Sequence, residues 1–278
     1  NSGSNTWPTE ATGTANPFDG IYVGASAKPT LVDVNGDGKD DLFVGNENGN
    51  IKVYLNSGSD TWPTEAAEAA NPFNEISASM TGCETLVDVN GDGKDDLVVG
   101  QNSGHINVYL NSGINTWLTE ATGPANPFDW INVGSVGVPT LVDVNGDGKD
   151  DLVVGNIAGN IKVYLNNGSN TWPTEATGTA NPFGGINVVS YAAPTLVDVN
   201  GDGKDDLVVG NRAGNIQVWM NSGSDTWPTE ATGPANPFDG IDVGDHTSPP
   251  TLADVNGDGK DDLVVANGGI SHGNIKVW

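Results

Sequence analysis

The sequence predicts an all-β fold, a β-propeller of five four-stranded blades, and three observations predict it. Trp7, Trp62, Trp117, Trp172 and Trp227 recur at a constant step of 55 residues. Each repeat holds short β-rich runs separated by Gly-, Asn- and Asp-rich turns. No window carries a helical hydrophobic period of useful length. Repeats of this size mean solenoids, propellers or arrays, and five sheets packed face to face suit a propeller. The repeats run 1–55, 56–110, 111–165, 166–220 and 221–278, forming one domain over 1–278.

The elements follow in order within one repeat. Thr30-Leu31-Val32-Asp33-Val34 is a short apolar strand, and Asn35-Gly36-Asp37-Gly38-Lys39-Asp40 a turn. Asp41-Leu42-Phe43-Val44-Gly45 is a second strand. Both are apolar on both faces, so both faces are expected to be covered. After a Gly-containing turn, Ile51-Lys52-Val53-Tyr54-Leu55 alternates as a half-buried strand does. Thr61-Trp62-Pro63-Thr64-Glu65 is the expected edge strand, since its proline cannot donate to a ladder. Asn71-Pro72-Phe73 begins the crossing to the next repeat. An open solenoid or a string of hairpins competes with the ring. The ring is favoured because the chain ends on a third strand, Ile275-Lys276-Val277-Trp278, and starts on the segment that normally follows one. Thr6-Trp7-Pro8-Thr9 would then supply the outer strand of the last blade. No initiator methionine or secretory leader is present, so a mature or excised segment is expected.

Composition narrows the function. Asp and Glu number 36 against 10 Lys and Arg, a formal charge of -26. Such a charge repels phosphate, which argues against nucleic acid and anionic membrane surfaces, and no apolar run spans a bilayer. A single cysteine, Cys83, rules out internal disulfides and a cysteine-ligated zinc.

The repeated Asp-x-Asn-Gly-Asp-Gly-Lys-Asp-Asp loop is the chemical signal. Calcium takes six to eight oxygens, and a tight loop supplies them at alternate positions. The candidate ligands are Asp33, Asn35, Asp37, the Lys39 carbonyl and Asp41. The set recurs as Asp88, Asn90, Asp92, Lys94, Asp96; Asp143, Asn145, Asp147, Lys149, Asp151; Asp198, Asn200, Asp202, Lys204, Asp206; and Asp254, Asn256, Asp258, Lys260, Asp262. Carboxylates this crowded repel unless a cation sits between them. About five calcium ions, one per repeat, are therefore expected. An EF-hand would need a glutamate at loop position 12, which is Val44, and flanking helices. A nonapeptide β-helix fails on period.

The strand–loop–strand from Asp33 to Gly45, followed by Gly49-Asn50-Ile51-Lys52-Val53-Tyr54, resembles an FG-GAP (VCBS-like) repeat. The resemblance covers about half of each repeat. It implies the calcium β-propeller fold of integrin α-subunit heads and related lectins, with the calcium loop joining the two innermost strands of a blade. That family usually builds a larger ring, so five repeats depart from it. The Trp-Pro-Thr-Glu and Asn-Pro-Phe elements lie outside its pattern.

Other residues have two readings each. Trp7, Trp62, Trp117, Trp172 and Trp227 would stack on sugar rings in a lectin, or fill the wedge between blades, the favoured reading. Trp219 and Trp278 stand where other repeats have tyrosine; Trp130 replaces Gly20, Gly185 and Gly240 and is expected to be exposed. Segments 21–29, 76–84, 131–139, 186–194 and 241–250 vary most, through partner tuning or through drift. Cys83, in one of them, is expected to be a quiet buried thiol. His105, His246 and His272 occupy unrelated positions and no catalytic constellation repeats, so catalysis is not expected. Asn167-Gly168-Ser169 is a candidate N-glycosylation acceptor. The expected protein is an extracellular, secreted or cell-surface calcium propeller, a non-enzymatic adhesion or assembly module. Its partners are a protein or glycan at the cell surface, or copies of itself. The alternative is a multivalent lectin with one site per blade.

Overall fold

A computed structural model describes residues 9–24, 27–46, 48–58, 65–67, 70–76, 83–113, 119–168, 171–172, 174–223, 227, 229–244, 249–266 and 273–278. They form five antiparallel sheets, and the fourth strand of a sheet, where it is described, comes from the start of the next repeat. The first holds β1 (Lys28–Val32), β2 (Asp41–Gly45) and β3 (Ile51–Tyr54). The second holds β4 (Glu84–Val87), β5 (Asp96–Gly100), β6 (Ile106–Tyr109) and β7 (Glu120–Ala121). The third holds β8 (Val138–Val142), β9 (Asp151–Gly155) and β10 (Ile161–Tyr164). The fourth holds β11 (Ala193–Val197), β12 (Asp206–Gly210), β13 (Ile216–Trp219) and β14 (Glu230–Ala231). The fifth holds β15 (Thr251–Ala253), β16 (Asp262–Ala266) and β17 (Ile275–Val277). The helical elements among the described residues are single 3-10 turns such as Gly123–Ala125.

The middle strands β2, β5, β9, β12 and β16 are buried along their whole length, as their apolar sequences require. The first strands differ from expectation: β1, β8 and β11 are buried over two residues and half-buried beyond them. These are the strands at which successive sheets meet, with β1 beside both β4 and β15, and β8 beside both β4 and β11.

Among the described residues, five large apolar clusters fill the spaces between neighbouring sheets, with a smaller one at Cys83, Val136, Val138 and Ala193. Phe43 and Val53 pack on Leu97 and Val99 between the first and second sheets. Val98 and Val108 pack on Leu152 and Val154, Val153 and Val163 on Leu207 and Val209, and Val208 and Val218 on Leu263 and Val265. The fifth cluster joins the last sheet to the first, through Val264, Ile275 and Val277 on Leu42 and Val44.

The Asn-Pro-Phe element positions these cores. Each phenylalanine, Phe18, Phe73, Phe128, Phe183 and Phe238, is buried in one of the five clusters. The asparagine two residues earlier sets it in place: Asn71 Nδ2 donates to Ile51 O at 2.8 Å while Asn71 Oδ1 accepts the Phe73 N–H at 3.0 Å. Asn126 repeats this with Ile106 and Phe128. Asn16, near the start of the chain, donates to Ile275 O at 2.9 Å, so the first segment serves the last sheet.

Of the expected edge strand at 61–65, residues 61–64 lie outside the described residues. Among the described residues the fourth strand pairs at the glutamate, as the two-residue strands β7 and β14 or as single bridges from Tyr54 to Glu65 and Tyr164 to Glu175. The alanine after each glutamate makes the main contact: Ala66 N–H donates to Val53 O at 2.7 Å and Ala11 N–H to Val277 O at 2.7 Å. Lys52–Glu65 at 2.9 Å and Lys276–Glu10 at 3.4 Å brace the same edge.

Candidate metal centre

Each acidic loop joins the first and middle strands of a sheet, and its shape is dictated by two glycines. Gly36 and Gly38 sit at φ 79° and 83°, a left-handed conformation that side chains disfavour. This turn aims three backbone N–H groups at Asp33: Oδ1 accepts from Gly36 at 2.7 Å and Asp37 at 3.1 Å, and Oδ2 from Gly38 at 2.7 Å. The pattern recurs at Asp88, Asp143, Asp198 and Asp254. Asp37 stands at the exposed lip, where its Oδ1 accepts the Lys39 N–H at 3.0 Å.

Asp41 lies at the buried end. It is fully buried, and its Oδ2 accepts from Val34 N–H at 3.2 Å and Asn35 Nδ2 at 3.1 Å. Burial raises its carboxyl above the ordinary value, with the Asp37 and Asp33 charges pushing the same way against hydrogen bonds from Asn56 and Val34. Asp96 and Asp151 are pushed up to about 6 by the same burial. The carboxylates of one loop therefore feel one another.

Among the described residues, no three acidic, histidine or cysteine side chains converge as a ready metal cluster. Asp33 faces the backbone amides of its own turn and Asp41 the amides beneath it. The donor set nevertheless suits a hard cation, since it is all oxygen, and among the described residues of that turn Asp33 Oδ2 accepts from Gly38 alone. In every loop the lysine pairs with the exposed fifth-position aspartate: the Lys39, Lys94, Lys149, Lys204 and Lys260 ammonium groups sit 3.5, 3.3, 3.1, 3.5 and 3.8 Å from it. Asp33, Asn35, Asp37, Asp41 and the Lys39 carbonyl would hold calcium, as would their counterparts at Asp88, Asn90, Asp92, Asp96; Asp143, Asn145, Asp147, Asp151; Asp198, Asn200, Asp202, Asp206; and Asp254, Asn256, Asp258, Asp262.

The tryptophans part company. Trp172 and Trp227 are buried, packed on Phe128 and Phe183 with centroids 4.8 and 4.9 Å apart. Their indole N–H groups donate to Asp150 O and Asp205 O, each at 3.3 Å. Neither offers an indole face to a ligand. Trp7, Trp62 and Trp117 lie outside the described residues, as do His246 and His272. His105 is exposed and its Nε2 lies 2.9 Å from Asn132 Nδ2. Trp130 is 53% exposed, edge-on to Tyr164, and borders a hollow of about 370 Å³ with Pro124, Asp129 and Trp172. Asn167 is exposed, with its N–H donating to Thr171 O at 3.1 Å.

One polar group went unread in the sequence. Glu84 is fully buried, and its carboxylate finds no hydrogen-bond partner beyond its own backbone N–H. It lies against Gly45, which pairs with the buried Lys28 in β1. Cys83 is buried beside it, its Sγ 3.5 Å from Tyr191 Oη. The signal was available: every other repeat carries proline where Glu84 stands, at Pro29, Pro139, Pro194 and Pro250.

The FG-GAP-like repeat model matches residues 33–81, 143–193 and 198–265, more than half of the chain. No curated protein matches it. Among solved structures the chain is similar to an Agrocybe aegerita lectin described as recognising non-reducing terminal N-acetylglucosamine, at 20% identity over 92% of this chain and 67% of that one, TM-score 0.46. It is also similar to BBS1N, solved in complex with ARL6DN, at 13% identity over 89% of this chain and 78% of that one, TM-score 0.43. A third is the computationally designed Ika8 protein, at 19% identity over 90% and 57%, TM-score 0.34.

Proposed function

The chain belongs to the FG-GAP-like repeat family, and on that footing we propose that it is a calcium-loaded, five-bladed β-propeller acting outside the cell as a non-enzymatic adhesion or assembly module. The observation that carries this reading is the five-fold recurrence of an all-oxygen acidic loop closed each time by the same backbone bonds to its first aspartate. Ring closure is supported by the apolar cluster shared by the last and first sheets and by the bonds from Ala11 and Asn16 to the last strand. Loops of modest affinity suit the millimolar calcium of extracellular fluid. No helix among the described residues is long and apolar enough to cross a membrane. Partners are a protein or glycan at a cell surface, or further copies of the chain. Thermal unfolding in EDTA and in millimolar calcium tests the reading. Calcium bound only by the folded chain raises the midpoint by mass action, and equal midpoints overturn it.

A lectin is the second reading, favoured by the exposed Trp130 beside Asp129 at a hollow large enough for a sugar ring. An indole face packs on the apolar face of a sugar, and a carboxylate accepts from its hydroxyls. Glycan-array binding that a monosaccharide competes away, and that Trp130→Ala abolishes, supports this reading. Binding to no glycan removes it.

A further inference from the structure

We propose that the lysine at the seventh loop position, Lys39 and its counterparts Lys94, Lys149, Lys204 and Lys260, is a tethered counter-ion that holds the fifth-position aspartate until calcium displaces it, and so sets the calcium affinity of each loop. The proposal rests on the calcium reading above and concerns how the same site is regulated. The chain has ten Lys and Arg side chains against 36 acidic ones, and five of those ten stand in these loops. Every one pairs with the aspartate two residues before it, at 3.1 to 3.8 Å.

A second element touches the lysine in three loops. The turns after β3, β6, β10 and β13 carry a glycine at positive φ, Gly58, Gly113, Gly168 and Gly223 at 90°, 111°, 97° and 94°. The lysine stem passes over three of them, while a Cβ at Gly113 would meet nothing within 4 Å. A Cβ at Gly168 would come 3.1 Å from Lys149 Cε and 3.3 Å from its Nζ, and one at Gly58 would come 3.7 Å from Lys39 Cε. At Gly223 a Cβ would meet Lys204 Nζ at 3.7 Å. At these three turns the missing side chain leaves room for the lysine stem. A divalent ion arriving at Asp37 meets the Lys39 ammonium as a like charge a few ångströms away, and like charges at such range repel. Calcium binding thus drives the lysine off the carboxylate, and each loop binds more weakly than its carboxylates alone would allow.

Calorimetric titration of the full chain with calcium chloride tests this, comparing wild type with K39Q/K94Q/K149Q/K204Q/K260Q and with K52Q/K162Q. The last variant removes charge at the outer-strand pairs instead. The expected result is a mean dissociation constant about two- to fivefold tighter in the loop variant, the range an exposed ion pair is worth, with the control unchanged. Amine acylation of wild type, followed by peptide mass spectrometry, needs no variant. Calcium is expected to raise labelling at the five loop lysines and leave Lys52 and Lys162 as they were. Unchanged or weaker affinity in the loop variant, equal tightening in the control, or calcium-insensitive labelling overturns the proposal. A wild-type chain that binds no calcium overturns the calcium reading itself, and the counter-ion role with it.

Discussion

The backbone N–H of Asn56 donates to Asp41 Oδ1 across 2.7 Å. The bond ties the acidic loop to the chain leaving β3, on its way to the outer edge of the sheet. Asn111 to Asp96, Asn166 to Asp151 and Asn221 to Asp206 repeat it at 2.7 Å. The ninth-position aspartate is therefore a structural cap as well as a candidate ligand, whereas the fifth-position aspartate is at the exposed lip.

That division makes the two positions separable. Asp96→Ala leaves the amides of Val89 and Asn111 without their acceptor in a buried place and is expected to cost about 2–4 kcal/mol in calcium-free buffer. Asp92→Ala removes an exposed carboxylate and is expected to cost under about 0.5 kcal/mol there, yet to abolish one calcium site of five. Urea unfolding with and without calcium checks both. Equal calcium-free losses would contradict the assignment.

Phe128→Ala empties a fully buried position between the second and third sheets. A loss of about 3–5 kcal/mol is expected. Asn126→Ala, which removes the bond to Ile106 O and the acceptor for Phe128 N–H, is expected to cost about 1–3 kcal/mol. Urea midpoints of the two variants decide whether Asn-Pro-Phe works as an inter-sheet plug; near-neutral values contradict it.

Deleting residues 1–16 removes the bonds from Ala11 to Val277 and Asn16 to Ile275. The edge of β17 is then uncovered, and an open edge recruits other strands. Sizing chromatography is expected to show the monomer replaced by larger species. A truncated chain that stays monomeric and equally stable contradicts ring closure through this segment.

Glu84 gives the chain a pH dependence of its own. Burial pushes its carboxyl up to about 8, against the pull of Lys28, from an ordinary value of 4.5. Between those values the folded chain keeps a proton that the unfolded chain has lost, so stability falls as pH rises through the window. Lys28, lowered by its own burial, acts with the opposite sign at higher pH. Lys28→Val with Glu84→Pro installs the residues that the third repeat carries at Val138 and Pro139. Urea midpoints at pH 5 and pH 8 are expected to draw together, with a gain of about 1–4 kcal/mol at pH 8. An unaltered pH slope contradicts this account of Glu84.

Much of this architecture is local and could be read from one repeat. The run from Asp41 to Gly45 is a strand as expected, because its apolar residues and flanking glycine turns specify it without help. The loop shape follows from Gly36 and Gly38 in the same way. What the sequence hid lies between repeats. Asn126 reaches Ile106, 20 residues back, and Glu84 rests on Gly45 of the preceding sheet, relations that appear only once the sheets are stacked. The fate of Trp172 likewise depends on Phe128, one repeat earlier.

The central claim is that five equivalent loops bind calcium. Equilibrium dialysis of the full chain against millimolar calcium, with bound metal counted by elemental analysis, tests it most directly. Five ions per chain are predicted, which moves the formal charge from -26 to -16. Fewer than one ion per chain, with the chain folded throughout, would contradict it.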